Sequence, residues 1–302
     1  MTYTNLPNLD DVVLAALDFF SKNKVANLNL KPYSMPIVVG SGNAYNTAQV
    51  IFSEKAAIIA TESNFKQTLI KYKKLIKNKS ISEAIIISAS GEKDSIWEIK
   101  LAKKNKLNTI LLTCSPDSTS AKLADQVHIF KKLPEPYTYN TSTYLGIMIA
   151  AGKEDVSEIK DFIKKLKLVN FKKFEAYSFI LPDDFGAIAP MLEIKRNELF
   201  GPYVSLRAFS FGEARHAKFV NNHEKELVIS FGENKYFGLQ KNRWEIKMPK
   251  RAGNSFVMAL SYYLIGKIQE SKPPYFKKNV EKFCLEGPRA YGSNKPFSVI
   301  VK

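Results

Sequence analysis

The feature that most constrains this chain is a repeated alternation of short apolar runs with segments of helical period. The runs are PIVVG (36–40), AAIIA (56–60), AIIIS (84–88), TILLT (109–113) and QVHIF (126–130), and helix patterns fall between them at about 43–53, 65–77, 94–105 and 119–124. Continuous Ile/Val/Leu strands need cover on both faces, and parallel strands need crossover helices between them. The pattern therefore predicts a doubly wound, three-layer α/β/α fold with a mainly parallel sheet. After residue 150 it restarts with a helix at 154–168, YSFIL (177–181), a helix at 185–200, YVSLRAF (203–209), ELVIS (226–230) and a long helix at 253–269. AAGKEDVSEI (150–159) reads as the seam, giving two α/β halves at residues 1–152 and 153–302. Ligands of such sheets sit beyond the carboxyl ends of the strands.

At 302 residues and 45% hydrophobic content, the chain can bury a full core in one large domain or two medium ones. The opening MTYTNLPNLDDVVLAALDFF lacks the basic region of a signal peptide, and no apolar run approaches the ~18 residues of a membrane span. A cytoplasmic protein without a membrane partner is expected. Cys114 and Cys284 form neither a metal-ligand spacing nor a disulfide framework, and in that compartment the Asn140-Thr141-Ser142 glycosylation pattern is a false positive. The net charge of +16 sits largely on lysines such as those of KYKKLIKNKS (71–80) and DFIKKLKLVNFKK (161–173). These alternate with apolar residues at helical spacing, which makes them wet faces of amphipathic helices. They lack the arginine–aromatic interleaving of a nucleic-acid stripe, so a nucleic-acid partner is not expected.

Two turns carry chemistry. Ser88-Ala89-Ser90-Gly91 follows the third strand, with Lys93 next and Asp94 or Ser95 opening a helix. Backbone N–H groups at a helix N-terminus and adjacent hydroxyls suit a phosphate, although the same serines would serve as simple helix caps. The first strand ends in VVGSGNAYNTA (38–48), where Gly40 and Gly42 permit close backbone approach ahead of Asn43. The third glycine of a dinucleotide fingerprint is missing.

These stretches resemble the sugar isomerase (SIS) domain family of phosphosugar-binding proteins. That family has a glycine-rich turn after its first strand, an I-S-x-S-G-x-T turn after its third, and then S-x-L-A-x-x-A-D. Here the matching segments are ISASGEK (87–93), LAKKNKLNTILLT (101–113) and STSAKLADQVHIF (118–130). Lys93 replaces the usual threonine. The resemblance implies that Gly42, Asn43, Ser88, Ser90, Gly91, Lys93 and Ser95 contact a phosphorylated sugar. The second half is similar to the isomerase part of glucosamine-6-phosphate synthase, where a helix carries A-L-K-L-K-E and a later turn G-E-x-x-H. MLEIKRNE (191–198) and FGEARHAKF (211–219) place Glu198 on the catalytic glutamate and His216 on the ring-opening histidine, with Ala217-Lys218 in place of Gly-Pro. Without the resemblance, a surface glutamate and a loop histidine describe the pair equally well. A family lysine after the last long helix falls on Lys278 in SKPPYFKKNVEKF, with Lys295 as the second candidate.

A carboxylate that reaches two adjacent carbons can carry a proton between them, and a histidine that titrates near neutrality can open a cyclic sugar. A lysine can stabilise the charge that develops on the opened sugar. The expectation is an aldose–ketose isomerase, or an isomerising deaminase, acting on a hexose or hexosamine 6-phosphate without metal or cofactor. The resemblance also implies a homodimer in which the histidine reaches a neighbouring subunit. The alternatives are a fructosamine-phosphate deglycase, with Arg215, Lys218 and Lys93 receiving an extra carboxylate, and a non-catalytic sugar-phosphate sensor.

Overall fold

The computed structural model describes residues 3, 5–152 and 154–302. Its contacts divide into two compact units, one formed by Lys24–Lys132 with Thr143–Lys153, the other by Met1–Asn23, Leu133–Ser142 and Glu154–Lys302. One boundary falls at the seam read from the sequence. The N-terminal segment and residues 133–142, however, group with the second sheet and not with the first.

Helix α1 (Leu9–Lys22) precedes the first sheet and belongs to the second unit. The first unit follows the expected alternation: β1 (Ile37–Gly40), α2 (Asn43–Ile51), β2 (Ile58–Ala60), α3 (Phe65–Lys71), α4 (Lys73–Lys77), β3 (Glu83–Ile87), α5 (Asp94–Lys104), β4 (Asn108–Thr113), α6 (Thr119–Leu123) and β5 (Gln126–Ile129). All neighbouring strands are parallel, in the order β2-β1-β3-β4-β5. The isoleucines of β3 are buried on both sides of the strand, which is why they form a continuous run instead of alternating. The single helix expected at 65–77 is broken at Tyr72, which leaves helical geometry (φ −98°, ψ 13°) and shares its N–H between the carbonyls of Thr68 and Ile70.

β6 (Glu135–Pro136) and the start of α7 (Thr141–Gly152) belong to the second unit. The second sheet is built by α8 (Val156–Lys165), β7 (Ala176–Leu181), α9 (Ala189–Phe200), β8 (Ser205–Ser210), α10 (Phe211–Ala214), β9 (Glu226–Ser230) and β10 (Arg243–Glu245). Its strands are also parallel, in the order β10-β9-β7-β8. The helix expected at 185–200 begins as a 3₁₀ turn (Asp183–Ile188) and becomes α9 at Ala189, with Pro190 in the first turn where its missing N–H is harmless. The long helix α11 (Asn254–Glu270) is buried along nearly its whole length, and the Glu154 carboxylate accepts the N–H groups of Gly253, Ser255 and Phe256 at its start. Helix α1 packs on α11 at Gly266, where a Cβ would collide with the Asp10 backbone. Lys267 pairs there with buried Asp10 at 2.7 Å. After α12 (Tyr275–Glu286), the tail ends in β11 (Ile300–Val301), which pairs antiparallel with β6. No helix among the described residues is long and apolar enough to cross a membrane.

Candidate functional site

In the first unit, β1 is flanked by β2 on one side and β3 on the other, so successive connections diverge there and leave a crevice beyond the strand ends. Gly40 lies opposite Ile87 in register, which brings the two turns side by side at that crevice. Gly42 caps α2 at φ 54°, ψ −121°, and Lys93 caps α5 with nearly the same angles, φ 56°, ψ −121°. A glycine adopts this conformation freely, whereas a lysine adopts it under strain. Gly91 (φ 61°) is needed for a second reason: a Cβ there would collide with Ser118.

The Ser88 hydroxyl accepts the Gly91 N–H at 3.2 Å, and Ser90 accepts the Glu92 N–H at 3.3 Å. As acceptors in the turn, both keep an O–H to donate. The simple helix-cap reading does not hold: Lys93 is the N-cap of α5, no side chain caps it, and the two serines bond turn N–H groups ahead of the helix. Ser95 differs. It is 2% exposed, donates to the Glu92 carbonyl and shares a 2.8 Å hydrogen bond with Ser120, so it braces the turn from beneath. Asn43 is buried, and its Oδ1 has no hydrogen-bond partner among the described residues. Loss of hydration against the turn lowers the Lys93 ammonium below its ordinary value, with Asp94 opposing.

The second unit assembles a different constellation. Glu198 lies near the end of α9, its side chain 19% exposed, and accepts a charge-assisted hydrogen bond from Lys195 at 2.6 Å. Lys195 is fully buried, also donates to the Thr138 carbonyl at 2.5 Å, and lies 5.5 Å over the Tyr262 ring. The Thr138 hydroxyl lies near Glu198 but is buried with no hydrogen-bond partner among the described residues. Burial raises the Glu198 carboxyl above its ordinary value, and the Lys195 and Thr138 contacts oppose the rise. Tyr137 and Tyr139 stand near enough for the Glu198 charge to push both phenols up, adding to the larger effect of their own burial. Glu135, buried and likewise raised, accepts the Thr141 and Ser142 N–H groups at 2.5 Å each and feels the Lys195 charge. Sequence reasoning did not single out Lys195. The available signal was its i,i+3 spacing from Glu198 on a helix.

His216 lies in the exposed turn after α10, its N–H bonded to the Glu213 carbonyl at 3.0 Å. It lines a cleft of about 370 Å³ with Pro190, Glu193, Phe209, Glu213 and Lys218. Glu198 is not part of that lining. Glu193 and Glu198 are five residues apart, about 140° around α9, so the helix turns them to different faces. Ala217 holds φ 58°, a left-handed geometry that favours glycine. Lys278 is exposed on α12, and Lys295 is exposed in the tail. Among the described residues no hydrogen bond or ion pair joins either lysine to Glu198, and no group of three or more His, Cys, Asp or Glu is arranged to hold a metal ion.

No family model matches the chain, and no curated protein matches it. Solved structures do match, and they define its class: a mainly parallel α/β fold of the kind found in phosphosugar isomerases and other SIS-domain proteins. Glucosamine-6-phosphate deaminase from Thermotoga maritima superposes with a TM-score of 0.60 at 17% identity, over 90% of this chain and 95% of that one. The C-terminal domain of glucosamine-fructose-6-phosphate aminotransferase from Francisella tularensis gives 0.57 at 14% identity, over 87% and 93%. Tagatose-6-phosphate ketose/aldose isomerase from Escherichia coli gives 0.55 at 11% identity, over 87% and 90%. At these identities the likeness establishes the fold.

Proposed function

We propose that the chain binds a hexose or hexosamine 6-phosphate and moves its carbonyl between C1 and C2, with release of ammonia when the substrate carries a 2-amino group. The observation that carries this reading is the Lys195–Glu198–Thr138 constellation, which supports a half-buried carboxylate with raised basicity at the position the SIS resemblance assigns to the proton shuttle. Glu198 takes the C2 proton of the open-chain aldose and returns it to C1 of the enediolate. The Lys195 ammonium orients Glu198 for that transfer. In the deaminating version, water replaces the amino group at C2 after the same proton transfer.

The paired turns support phosphate binding, because α2 and α5 present their positive N-terminal ends beside the Ser88 and Ser90 hydroxyls and the Lys93 ammonium. His216 faces away from Glu198 on α9, which supports its action in a neighbouring subunit of a homodimer. Of the two lysines, the tail's Lys295 is the better charge stabiliser. It lies two residues from Phe297, whose ring stacks on Tyr137 beside Thr138, whereas Lys278 projects from the exposed side of α12. A panel of hexose and hexosamine 6-phosphates, followed by NMR for isomer formation and assayed for ammonia, tests the reading. Isomer or ammonia from at least one member is expected. Tight binding without turnover of any member would overturn catalysis in favour of a sensor.

A further inference from the structure

We propose that Tyr137 and Phe297 are positioning residues, whose stacked rings hold segment 135–140 in the one conformation that orients Lys195 and Glu198. The inference rests on the reading of Glu198 as the base, and it assigns a task to the C-terminal tail that the sequence did not suggest. The Tyr137 and Phe297 rings lie 5.1 Å apart at 25°, and Tyr291 meets Phe297 edge-on at 6.1 Å. The Tyr137 N–H donates to the Val299 carbonyl at 2.7 Å, the Phe297 N–H donates to the Cys284 carbonyl at 2.9 Å, and β11 pairs with β6 next to the stack. The tail is thus fastened to residues 135–137 by backbone and by rings.

What it fastens is strained. Thr138 stands at φ 73° and Asn140 at φ 47°, and a β-branched residue at positive φ is an outlier that persists only where its surroundings impose it. The neighbours of Thr138 are fixed on both sides: buried Tyr139 donates its hydroxyl to the Pro7 carbonyl, and Glu135 is locked onto the start of α7. Tyr137 is fixed through the tail. If that hold is lost, Thr138 can relax toward extended backbone, which removes its carbonyl from Lys195. Neither ring has to touch the substrate for this to slow the reaction.

The test compares the full chain with Phe297→Leu, Phe297→Tyr and Tyr137→Phe. One readout is kcat and KM on whichever sugar phosphate the parent converts. The other is the carboxyl titration of Glu198 by carbon NMR in glutamate-labelled protein, assigned by its loss in Glu198→Gln. Phe297→Leu should lower kcat about tenfold with KM within about twofold, as misplacement of a catalytic group does. It should also move the Glu198 titration upward, because Lys195, which favours the Glu198 charge, loses the Thr138 carbonyl that anchors it while burial remains. Phe297→Tyr and Tyr137→Phe keep the stack and should stay within about twofold of the parent. If Phe297→Leu does not fold, Gly287→Ala takes its place, since the added Cβ would press on the Phe297 ring at 3.3 Å without removing it. Parental kcat and an unmoved Glu198 titration would overturn the proposal, as would an effect confined to KM. If the parent converts no sugar phosphate, the function proposed above fails while the titration still decides whether the rings position Glu198.

Discussion

The two sheets share one wiring and differ in what they do with it. In both, the first strand is central, the second lies to one side, the third to the other and the fourth beyond the third: β2-β1-β3-β4 in one, β8-β7-β9-β10 in the other. After β3 the chain makes a serine turn and the eleven-residue α5. After β9 it makes a loop that folds around Arg243, whose guanidinium donates to the carbonyls of Asn234, Lys235, Phe237 and Gly238. A helix N-terminus at the crevice is what attracts an anion, and only the first sheet presents one after its third strand. The second contributes its chemistry from α9, where a buried ammonium meets a half-buried carboxylate. On the function proposed above, a strand order is repeated for its packing while anion binding and proton transfer are divided between the copies.

That division is open to attack, and the largest effect should come from Glu198. Glu198→Gln keeps the size and removes the base, so kcat should fall by ~10²-fold or more with KM little changed. Solvent deuterium should stop washing into C2 of the substrate, and exchange at the parental rate would break the comparison. In the parent, burial holds the carboxyl above its ordinary value. Activity needs the ionised form, so its acid limb should lie above the ordinary glutamate range, and a limb near 4.5 would contradict it. In the first unit, Ser88→Ala with Ser90→Ala should weaken calorimetric binding of the sugar phosphate by about 2 kcal/mol, roughly 30-fold, and leave saturated kcat nearly intact. A loss in kcat would mean that the turns also take part in the chemical step.

A third experiment asks whether the first unit carries a titration of its own. Glu98 on α5 is 2% exposed, and burial, with Asp94 and Glu62 adding to it, pushes it up to about 8. A folded value above the ordinary 4.5 favours folding fully below that point, and the contribution is lost as pH rises through about 8. Stability should therefore fall by about 3 kcal/mol between pH 6 and 9, and Glu98→Gln should flatten the fall. Chemical denaturation at the two pH values reads it directly. The smallest effect is expected at Ala217, where glycine relieves φ 58° and should stabilise the chain by about 0.5–1 kcal/mol. Lys93→Gly sharpens the comparison further, because it relieves the same kind of strain but removes the charge proposed to meet the phosphate. Stability should rise while affinity falls.

The parallel sheets were legible because strands covered on both faces become unbroken apolar runs, as in AIIIS and ELVIS. Helix α7 was not, because its residues are apolar all round and give no amphipathic period. The serine and glycine turns stood out by composition, and Glu198 and His216 by resemblance. Lys195 was hidden by the chemistry that makes it matter: among 45 lysines and arginines, only burial distinguishes it. The strain at Thr138 and Ala217 could not be read at all, since neither residue type announces a positive φ. The rings of Tyr137 and Phe297 meet across 160 positions of sequence, and periodicity has no access to such a pair.

The grouping of α1 with α11 bears on how the protein is made. A ribosome adding ~5–20 residues per second completes α1 long before the partner that covers its apolar face, at an interval on the order of tens of seconds. In that interval the first sheet has every strand it needs, while Leu9, Val13 and Leu17, fully buried in the finished protein, wait for a surface. The first turns of the chain thus depend for their cover on helices α8 and α11, made well over a hundred residues later.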